Sequence, residues 1–333
     1  MKLLTFISVT LLMGGTMALP AHASETTLKI RSLFNIKQAY CSIKTNGVKG
    51  LDNRKSAYHG RGGGISSTNS LLFLENGENE ISLEIGALGW FSDQNLDNSE
   101  RGKFDALSSC KLELVRFEGQ KKITLTTLNV TVNKDGLPDI TSDNNAVITR
   151  QKIIAEQVVP GHIDPEYFGE RYFPENMVLY EFSEKIILTG IPEWAWTKAT
   201  PYTGSEEQIK KLRDSYSKLA EIINMHDRTQ LKKSHNIALH AWAKTTGDNE
   251  DAILLSQYSK SDIEEGKVKI DPINWNDYSV RVMNKGRIVQ FYNKSKPTYS
   301  PLTYHSTDSD GSESMGYYAP MFSLINGKFV VVI

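Results

Sequence analysis

Short runs in which apolar and polar residues alternate dominate the chain up to about residue 190. Examples are Leu28-Lys-Ile30-Arg, Cys41-Ser-Ile43-Lys, Leu112-Glu-Leu114-Val and Ile123-Thr-Leu125-Thr. Alternation with period two points successive side chains to opposite faces of a strand, so these runs predict strands with one buried face. Clusters of turn residues separate the runs at intervals typical of an antiparallel β-sandwich. We therefore predict a sandwich of the jelly-roll or immunoglobulin-like kind over residues 24–190.

Two apolar runs within residues 71–85 flank the turn Glu75-Asn-Gly-Glu-Asn79. The arrangement resembles a strand-turn-strand unit of jelly-roll and carbohydrate-binding modules. It predicts strands on both sides of the turn.

The spacing of apolar residues changes after residues 191–204, a segment with two prolines that we interpret as a linker. Ser205 is suited to cap a helix, and apolar residues then recur at steps of three and four from Ile209 to Ile223. The pattern predicts one helix over residues 206–225 and a second over 229–245, with Gly247 just past its end. A third, shorter helix is predicted from Asn249.

Further strands are predicted after the helices. They cover residues 268–270, 279–282, 288–292, 300–305 and 317–325. The dipeptide Asn326-Gly327 favours a tight type I′ turn and leads into five apolar residues, 329–333. Because that last run is apolar at every position, we expect a central strand that is covered on both faces.

Helices followed by a curved antiparallel sheet resemble the cone-shaped nuclear transport factor two-like fold. The amphipathic helix 206–225 and the closing segment Asn326-Gly-Lys-Phe-Val-Val-Val-Ile333 carry this resemblance, which covers residues 205–333. That family contains enzymes, ligand binders and protein-binding modules, so the resemblance does not select a function. The predicted fold class is α+β, with an N-terminal sandwich and a C-terminal cone-like domain.

The first 23 residues have the features of a secretory signal peptide. Lys2 supplies the positive charge, residues 3–12 are mostly apolar, and Ala21-His-Ala23 forms an A-x-A cleavage site. The apolar run is shorter than the roughly 20 residues that a membrane-spanning helix needs. We expect cleavage after Ala23 and a soluble periplasmic or secreted protein without membrane insertion.

Composition restricts the partners and the redox state. The 333 residues contain 38 Lys+Arg and 39 Asp+Glu, so the chain lacks the basic excess typical of nucleic-acid binders. Its two cysteines are Cys41 and Cys110, and two thiols of one chain usually pair in an oxidising compartment. We predict a disulfide, with two separate buried thiols as the alternative.

Candidate catalytic motifs do not combine into a mechanism. Ser215-Tyr-Ser-Lys218 matches the S-x-x-K motif of penicillin-interacting enzymes, but its companion motifs stand in the wrong order. His226, His235 and His240 are spaced by nine and five residues, which does not place two imidazoles on one helical face, so surface or boundary positions are expected. Because nucleophile, base and orienting group are not found together, we expect a non-catalytic protein without a cofactor.

A segment at 131–139 resembles the D-x-N-x-D-G-x-x-D calcium loops of extracellular repeats. Its candidate ligands are Asn133, Asp135 and Asp139. Thr131 replaces the first aspartate and no glutamate stands at the twelfth position, so the expected structure is an ordinary turn between two strands.

Aromatic and arginine side chains near the middle of the chain are the candidate binding residues. They are Tyr167, Phe168, Arg171, Tyr172, Trp194 and Trp196. Such side chains carry much of the contact energy of protein interfaces, although loop aromatics also pack within their own domain. We expect a protein-binding function, of which immunity against a toxin delivered into the periplasm is one form. The alternative is a small-molecule or glycan binder, or a weak enzyme, with a cavity in residues 205–333.

Overall fold

The computed structural model describes residues 28–140, 147–162, 172–307 and 311–333. It shows an α+β protein in which an antiparallel β-sandwich precedes a group of helices and two smaller antiparallel sheets. The predicted fold class is confirmed. The proposed signal segment 1–23 lies outside the described residues, and the division into two domains at 191–204 stays a prediction.

Two five-stranded sheets form the sandwich, and every pairing within them is antiparallel. In spatial order the first sheet contains β4 (Gly64–Asn69), β1 (Lys29–Lys37), β6 (Ser109–Glu118), β7 (Lys121–Val132) and β8 (Pro138–Ile140). The second contains β3 (Val48–Asp52), β2 (Tyr40–Thr45), β5 (Gly77–Gly86), β10 (Val178–Leu188) and β9 (Ile148–Ile154). Two short helices, α1 (Arg54–Tyr58) and α2 (Asn98–Arg101), lie in the connections.

The sandwich core is built from alternate residues of the facing strands. Phe34 and Leu112 of the first sheet and Leu83 and Phe182 of the second belong to one buried cluster. A disulfide between Cys41 of β2 and Cys110 of β6 joins the two sheets, with the Cα atoms 6.3 Å apart. The predicted pairing is confirmed.

The strand expected near residue 71 is instead a single 3₁₀ turn, Leu71–Phe73. Leu71, Leu72 and Leu74 are all buried, which accounts for the apolar pattern. The carbonyl groups of this turn accept hydrogen bonds from side chains of distant segments and not from a neighbouring strand. The second half of the predicted unit is correct, since β5 contains residues 81–85.

Five helices follow the segment 191–204 in the described part of the chain. They are α3 (Glu206–Asn224), α4 (Arg228–Ser234), α5 (Asn236–Thr246), α6 (Glu250–Gln257) and α7 (Lys260–Ile263). The Ser205 side chain accepts a hydrogen bond from the Gln208 amide, as expected for an N-cap, and Gly247 ends α5 with φ 82°. The second predicted helix is interrupted at His235, whose ψ of 5° leaves the helical range while its ring is held in the interior.

The C-terminal strands are divided between two sheets. In spatial order, one contains β11 (Lys269–Ile270), β14 (Leu302–Thr307) and β15 (Glu313–Tyr318). The other contains β12 (Tyr278–Met283), β13 (Ile288–Asn293), β16 (Phe322–Ile325) and β17 (Lys328–Val331). The single strand predicted over 317–325 is wrong, because Ala319-Pro320-Met321 separates β15 from β16 and proline cannot donate to a strand ladder.

The last strand, β17, lies at the edge of its sheet, so the expectation of a central strand is wrong. Its apolar side chains are covered by helix α3 and by the sandwich: Phe329 and Val331 are buried in the core that contains α3, and Val332 belongs to the sandwich core. The Ser215 hydroxyl of α3 lies 3.1 Å from the Phe329 carbonyl oxygen and 3.0 Å from that of Lys211. This serine of the S-x-x-K match therefore helps to hold the helix on the strand.

Candidate functional site

Trp194 and Trp196 connect the segment 191–204 to the sandwich. The Trp194 indole N–H donates to the carbonyl groups of Leu71 and Leu74, and the Trp196 indole N–H donates to that of Leu72, each at 3.0 Å. Both tryptophans are buried, as is Tyr172. The remaining predicted binding residues, Tyr167, Phe168 and Arg171, lie outside the described residues.

The turn between β12 and β13 makes a second connection to the sandwich. Asn284, Lys285 and Gly286 all have positive φ, at 49°, 58° and 83°. This tight turn brings the Asn284 amide N–H within 3.0 Å of the Asn46 carbonyl and the Lys285 ammonium within 2.7 Å of Glu75. The two connections hold the C-terminal sheet against the outer face of the second sandwich sheet.

A cavity of about 630 Å³, here called the junction cleft, lies between these two sheets. The sandwich contributes Lys44, Asp52 and Glu84 to its lining, while Met283 and Gln290 come from the C-terminal sheet. Cavities between two structural units are preferred positions for ligand sites, because side chains from independent elements converge there. The junction cleft is therefore the candidate functional site.

The sandwich sheet beside the cleft carries a row of polar residues that are cross-strand neighbours, and two of them, Asp52 and Glu84, line the cavity. In order across the sheet they are Asp52, Ser42, Glu84, Glu181 and Gln151. Side chains at paired positions lie on the same face of a sheet. This row consequently lies on the face opposite the sandwich core.

Lys44 links the two glutamates of that row. Its ammonium contacts the Glu84 carboxylate and lies 2.9 Å from Glu181, which also accepts a hydrogen bond from Gln151. The side chains of Glu84 and Glu181 are only 8% and 11% exposed. Burial by itself would lower the pKa of Lys44, but the two carboxylates outweigh it and raise the pKa above its usual value.

Two cations lie at the β3 end of the cleft. The Lys49 ammonium and the Arg54 guanidinium are 5.2 and 5.1 Å from the centre of the Phe173 ring. Lys49 also lies 2.6 Å from Asp52. Burial would raise the pKa of Asp52, but the charges of Lys49 and Arg54 outweigh it and lower the pKa.

Two hydroxyl groups, one of them that of Ser42 in the row, are buried. The Tyr40 hydroxyl lies beside the Ser42 hydroxyl, and neither atom has a hydrogen-bond partner of normal geometry among the described residues. Tyr40 packs edge-on against Phe173, with the ring centres 5.3 Å apart. Burial raises the pKa of Tyr40 well above its usual value, with the charges of Asp52 and Glu84 acting in the same direction.

The rim of the cleft joins the two sides. Arg281 of β12 forms an ion pair with Glu156, which follows β9, and its guanidinium lies 4.8 Å from the Tyr292 ring centre. Tyr317 is 40% exposed at the rim and packs on Tyr299 with the ring centres 5.0 Å apart.

A cavity of about 350 Å³ lies on the other side of residues 317–321, next to His235 and Tyr258. Nε2 of His235 is 2.8 Å from the Tyr258 hydroxyl, and Nδ1 is 3.1 Å from the Leu231 carbonyl oxygen. Burial lowers the pKa of His235 to about 4, although the bond to Leu231 acts in the opposite direction. The neutral imidazole therefore donates to Leu231 and accepts from Tyr258, which is a structural role. The expectation of a surface or boundary position is wrong for this histidine, which is buried.

The histidines and the calcium candidates are engaged in local contacts. His240 is exposed, with Nδ1 3.7 Å from Glu250, and within the described ranges no group of three or more His, Cys, Asp or Glu residues could hold a metal ion. The Asn133 side-chain oxygen accepts hydrogen bonds from the amides of Asp135 and Leu137, at 2.9 and 3.1 Å. Asp139 lies 2.8 Å from Arg150. Residues 133–137 thus form the turn between β7 and β8, as expected.

The residues of the cleft floor were not singled out as a site from the sequence. Alternation in Cys41-Ser-Ile43-Lys and Ile81-Ser-Leu83-Glu places Lys44 and Glu84 opposite the core, where charged residues normally face water. Only the packing of the C-terminal sheet over that face turns it into a cleft.

Comparisons with known proteins add little to this description. No protein-family model and no curated protein sequence matches the chain. A solved structure described as an "Ntf2 like protein involved in plasmid conjugation" is 10% identical, with 78% of this chain and 71% of that chain covered and a TM-score of 0.21. Such a low TM-score supports no statement about a shared fold or function. Across the described residues, no helix is both long and apolar enough to cross a membrane.

Proposed function

We propose that this protein binds a small polar organic molecule in the junction cleft. The observation that carries the proposal is the Lys44–Glu84–Glu181 network, in which Lys44 and Glu84 line a 630 Å³ cavity and both glutamates are nearly buried. Ligand pockets typically enclose roughly 300–1,000 Å³ and combine apolar walls with a few convergent polar groups. The cleft has both properties, since Met283, Met321 and Ile153 provide apolar wall next to these charges.

The larger cavity on the sandwich supports a ligand less well. It has about 860 Å³ and is lined by aromatic residues that include Tyr58 and Trp90. Its arginine, Arg101, donates to the carbonyl groups of Trp90, Ser92, Gln94 and Leu96 and so serves to hold its own loop. The charges of the junction cleft, in contrast, lie on the cavity floor itself.

The proposal keeps the predicted periplasmic or secreted location, which the disulfide supports because such bonds persist in oxidising compartments. The small-molecule alternative from the sequence placed a ligand cavity within residues 205–333. The present proposal instead places the ligand where those residues meet the sandwich. The protein-binding function, and immunity as one form of it, stays a prediction, and three of its six candidate residues, Tyr167, Phe168 and Arg171, lie outside the described residues.

Thermal unfolding with defined compounds tests this proposal. The probes are glycine, glutamate, tri-alanine, glucose, N-acetylglucosamine and glycerophosphocholine at millimolar concentration, because a ligand that binds only the native state raises the melting temperature. We expect at least one probe to stabilise the wild type and the Lys185→Ala variant but not Lys44→Ala. Lys185 is the matched control, since it is an exposed lysine of the same sandwich sheet. Absence of any stabilisation, or equal stabilisation of Lys44→Ala, would overturn the proposal.

A further inference from the structure

A groove between helix α3 and the edge strand β17 forms a second candidate site, separate from the junction cleft. It has a volume of about 540 Å³, and its two walls are one face of α3 and the strand β17. We infer that this groove, here called the α3–β17 groove, binds a free single-chain carboxylate of the fatty-acid type. The apolar walls hold the alkyl chain, and lysines at the rim hold the carboxylate.

One continuous face of α3 lines the groove. Its residues recur at steps of three and four, which places them on the same side of a helix. They are Lys211, Asp214, Ser215, Lys218, Leu219 and Ile222. From the first to the last, the helix axis advances by about 16 Å. The groove is therefore elongated, which suits an extended alkyl chain better than a compact ligand.

The walls of the groove are largely apolar. Leu219 and Ile222 of α3 line it together with Phe322 of β16 and with Phe329 and Val331 of β17. Ile222 is partly buried, and the other four side chains are almost fully buried. An alkyl chain that lies on these side chains is removed from water. Each methylene group that is fully removed raises the affinity roughly fourfold.

Two lysines at the rim have no acidic partner. Lys218 of α3 and Lys328 of β17 line the groove and are exposed, and no carboxylate of the described residues lies within ion-pair distance of either. The other charged residues of the lining are paired along the helix. These pairs are Lys210–Asp214 and Glu207–Lys211, each at 2.7 Å. The lining thus retains a formal charge of +2, which attracts an anionic headgroup.

The edge of β17 adds a main-chain donor. Phe329 and Leu324 are cross-strand neighbours. Their carbonyl groups do not bond across the pair, because one accepts from the Thr200 amide and the other from the Ser215 hydroxyl. In such a pair the N–H groups also point away from the partner strand. The Phe329 N–H therefore faces α3, and no side chain among the described residues accepts from it.

These features discriminate between possible occupants. A cationic headgroup would be placed against Lys218 and Lys328, and an uncharged alcohol would leave both lysines without a partner. A short acid such as acetate would gain nothing from the apolar walls. A strand of a partner protein does not fit beside β17, because Ser215 of α3 already contacts the Phe329 carbonyl at that edge.

Isothermal titration with free amphiphiles below their micellar concentrations tests the inference. The probes are octanoate and decanoate, with octanol and decyltrimethylammonium as headgroup controls. We expect decanoate to bind roughly tenfold more tightly than octanoate, because two more methylene groups are buried. Each control should bind at least tenfold more weakly than the acid of the same length. The Lys218→Gln, Lys328→Gln double variant should lose this preference for the acid, and Ile222→Ser should weaken decanoate more than octanoate.

Two controls separate this site from the rest of the molecule. Lys198→Gln, at an exposed lysine outside the groove, and Lys44→Ala, in the junction cleft, should both bind decanoate as the wild type does. Loss of binding in Lys44→Ala would place the acid in the junction cleft and overturn the inference. Equal affinity for acid, alcohol and ammonium compound, or an unchanged acid preference in the double lysine variant, would also overturn it.

A membrane surface is the remaining occupant that the experiment distinguishes. Binding to phosphatidylglycerol vesicles without binding of free decanoate would contradict the inference, because the lysines would then serve a lipid surface. Circular dichroism checks that each variant folds. Since Lys218 and Lys328 are both exposed, the single variants replace the double variant if it fails to fold.

Discussion

Arg287 and Glu75, which are 212 residues apart in the chain, form a bidentate ion pair. Nη1 of Arg287 lies 2.8 Å from Oε2 of Glu75, and Nη2 lies 2.6 Å from Oε1. The guanidinium also donates to the Thr197 carbonyl and lies 5.1 Å from the centre of the Trp196 ring. The pair thus holds the β12–β13 turn, the linker segment and the sandwich together beside the junction cleft.

A double-mutant cycle on this pair should show strong coupling. We expect Glu75→Ala to lower the free energy of unfolding by about 3 kcal/mol, because it leaves the Arg287 charge unpaired in a mostly buried position. Arg287→Ala should cost less, because Lys285 still pairs with Glu75. The double variant should lose clearly less free energy of unfolding than the two single variants lose together. Urea unfolding followed by circular dichroism measures these values. Lys198→Ala, which removes an exposed ion pair with Glu193, serves as the control and should leave the stability nearly unchanged. Additive effects at Arg287 and Glu75 would contradict the prediction.

Removal of the disulfide should destabilise the sandwich. The bridge closes a loop with a sequence separation of 69 residues, and the chain-entropy model gives about 4 kcal/mol for such a loop. We expect the Cys41→Ser, Cys110→Ser double variant to lose about this amount in urea unfolding. The wild type measured with reductant should match the variant, and equal stability of oxidised and reduced wild type would contradict this account.

Acid should destabilise the protein through His235. Its pKa is about 4 in the folded protein, against about 6.5 when unfolded, so the unfolded chain binds this proton more tightly. Stability is therefore lost as the pH falls from about 6.5 towards 4, by about 2 kcal/mol at pH 5. We expect His235→Gln to lose less stability than the wild type between pH 7 and pH 5, whatever its stability at pH 7. Parallel pH profiles for the two proteins would exclude His235 as the cause.

Deletion of residues 329–333 should unfold the C-terminal part of the chain. The deletion removes the buried side chains of Phe329, Val331 and Val332, and each such side chain contributes roughly 1.5–3 kcal/mol. A typical domain has a total stability of about 5–15 kcal/mol. Circular dichroism and limited proteolysis measure the effect. Val330→Ala, at a partly exposed position of the same strand, serves as the mild control; a deletion variant that melts like the wild type would refute the prediction.

The turn at Asn133 should be stabilised by its own hydrogen bonds and not by calcium. Replacement of Asn133 by Ala removes an acceptor for two amide groups and should cost about 1 kcal/mol. The loss should be the same with and without millimolar calcium in a thermal unfolding experiment. A rise of several degrees in the wild-type melting temperature on adding calcium would instead show a metal site that includes Asp135 or Asp139.

The sequence predicted several features of the C-terminal part correctly because they depend on residues close together in the chain. Ser205 caps α3 through the amide three residues later, and Gly247 takes the left-handed conformation at the end of α5. Asn326 and Gly327 have φ values of 50° and 77°, which agrees with the predicted type I′ turn. The spacing of apolar residues along a helix and the preferences of turn residues are local properties, so no knowledge of the fold was needed.

Predictions failed where two structures share the same local pattern. The apolar run at residues 71–74 suits a strand as well as a buried 3₁₀ turn. The indole N–H groups of Trp194 and Trp196, more than a hundred residues later in the chain, donate hydrogen bonds to the carbonyl groups of this turn. Residues 329–333 are apolar at every position both in a central strand and in an edge strand that a helix covers. The packing of α3 against β17 decides between these two.

By itself, the sequence determined the α+β class, most of the sandwich strands, the Cys41–Cys110 pairing, the start of α3 and the turns at Gly247 and Asn326-Gly327, because alternation, capping and turn chemistry act over a few residues and the chain has no third cysteine. Only the tertiary structure decided that Lys44 and Glu84, which form an ion-pair network with Glu181, line a cleft. Their side chains point away from the sandwich core in either case. Whether that face meets water or a second sheet depends on how the C-terminal part packs, through contacts such as Arg287–Glu75 that span most of the chain.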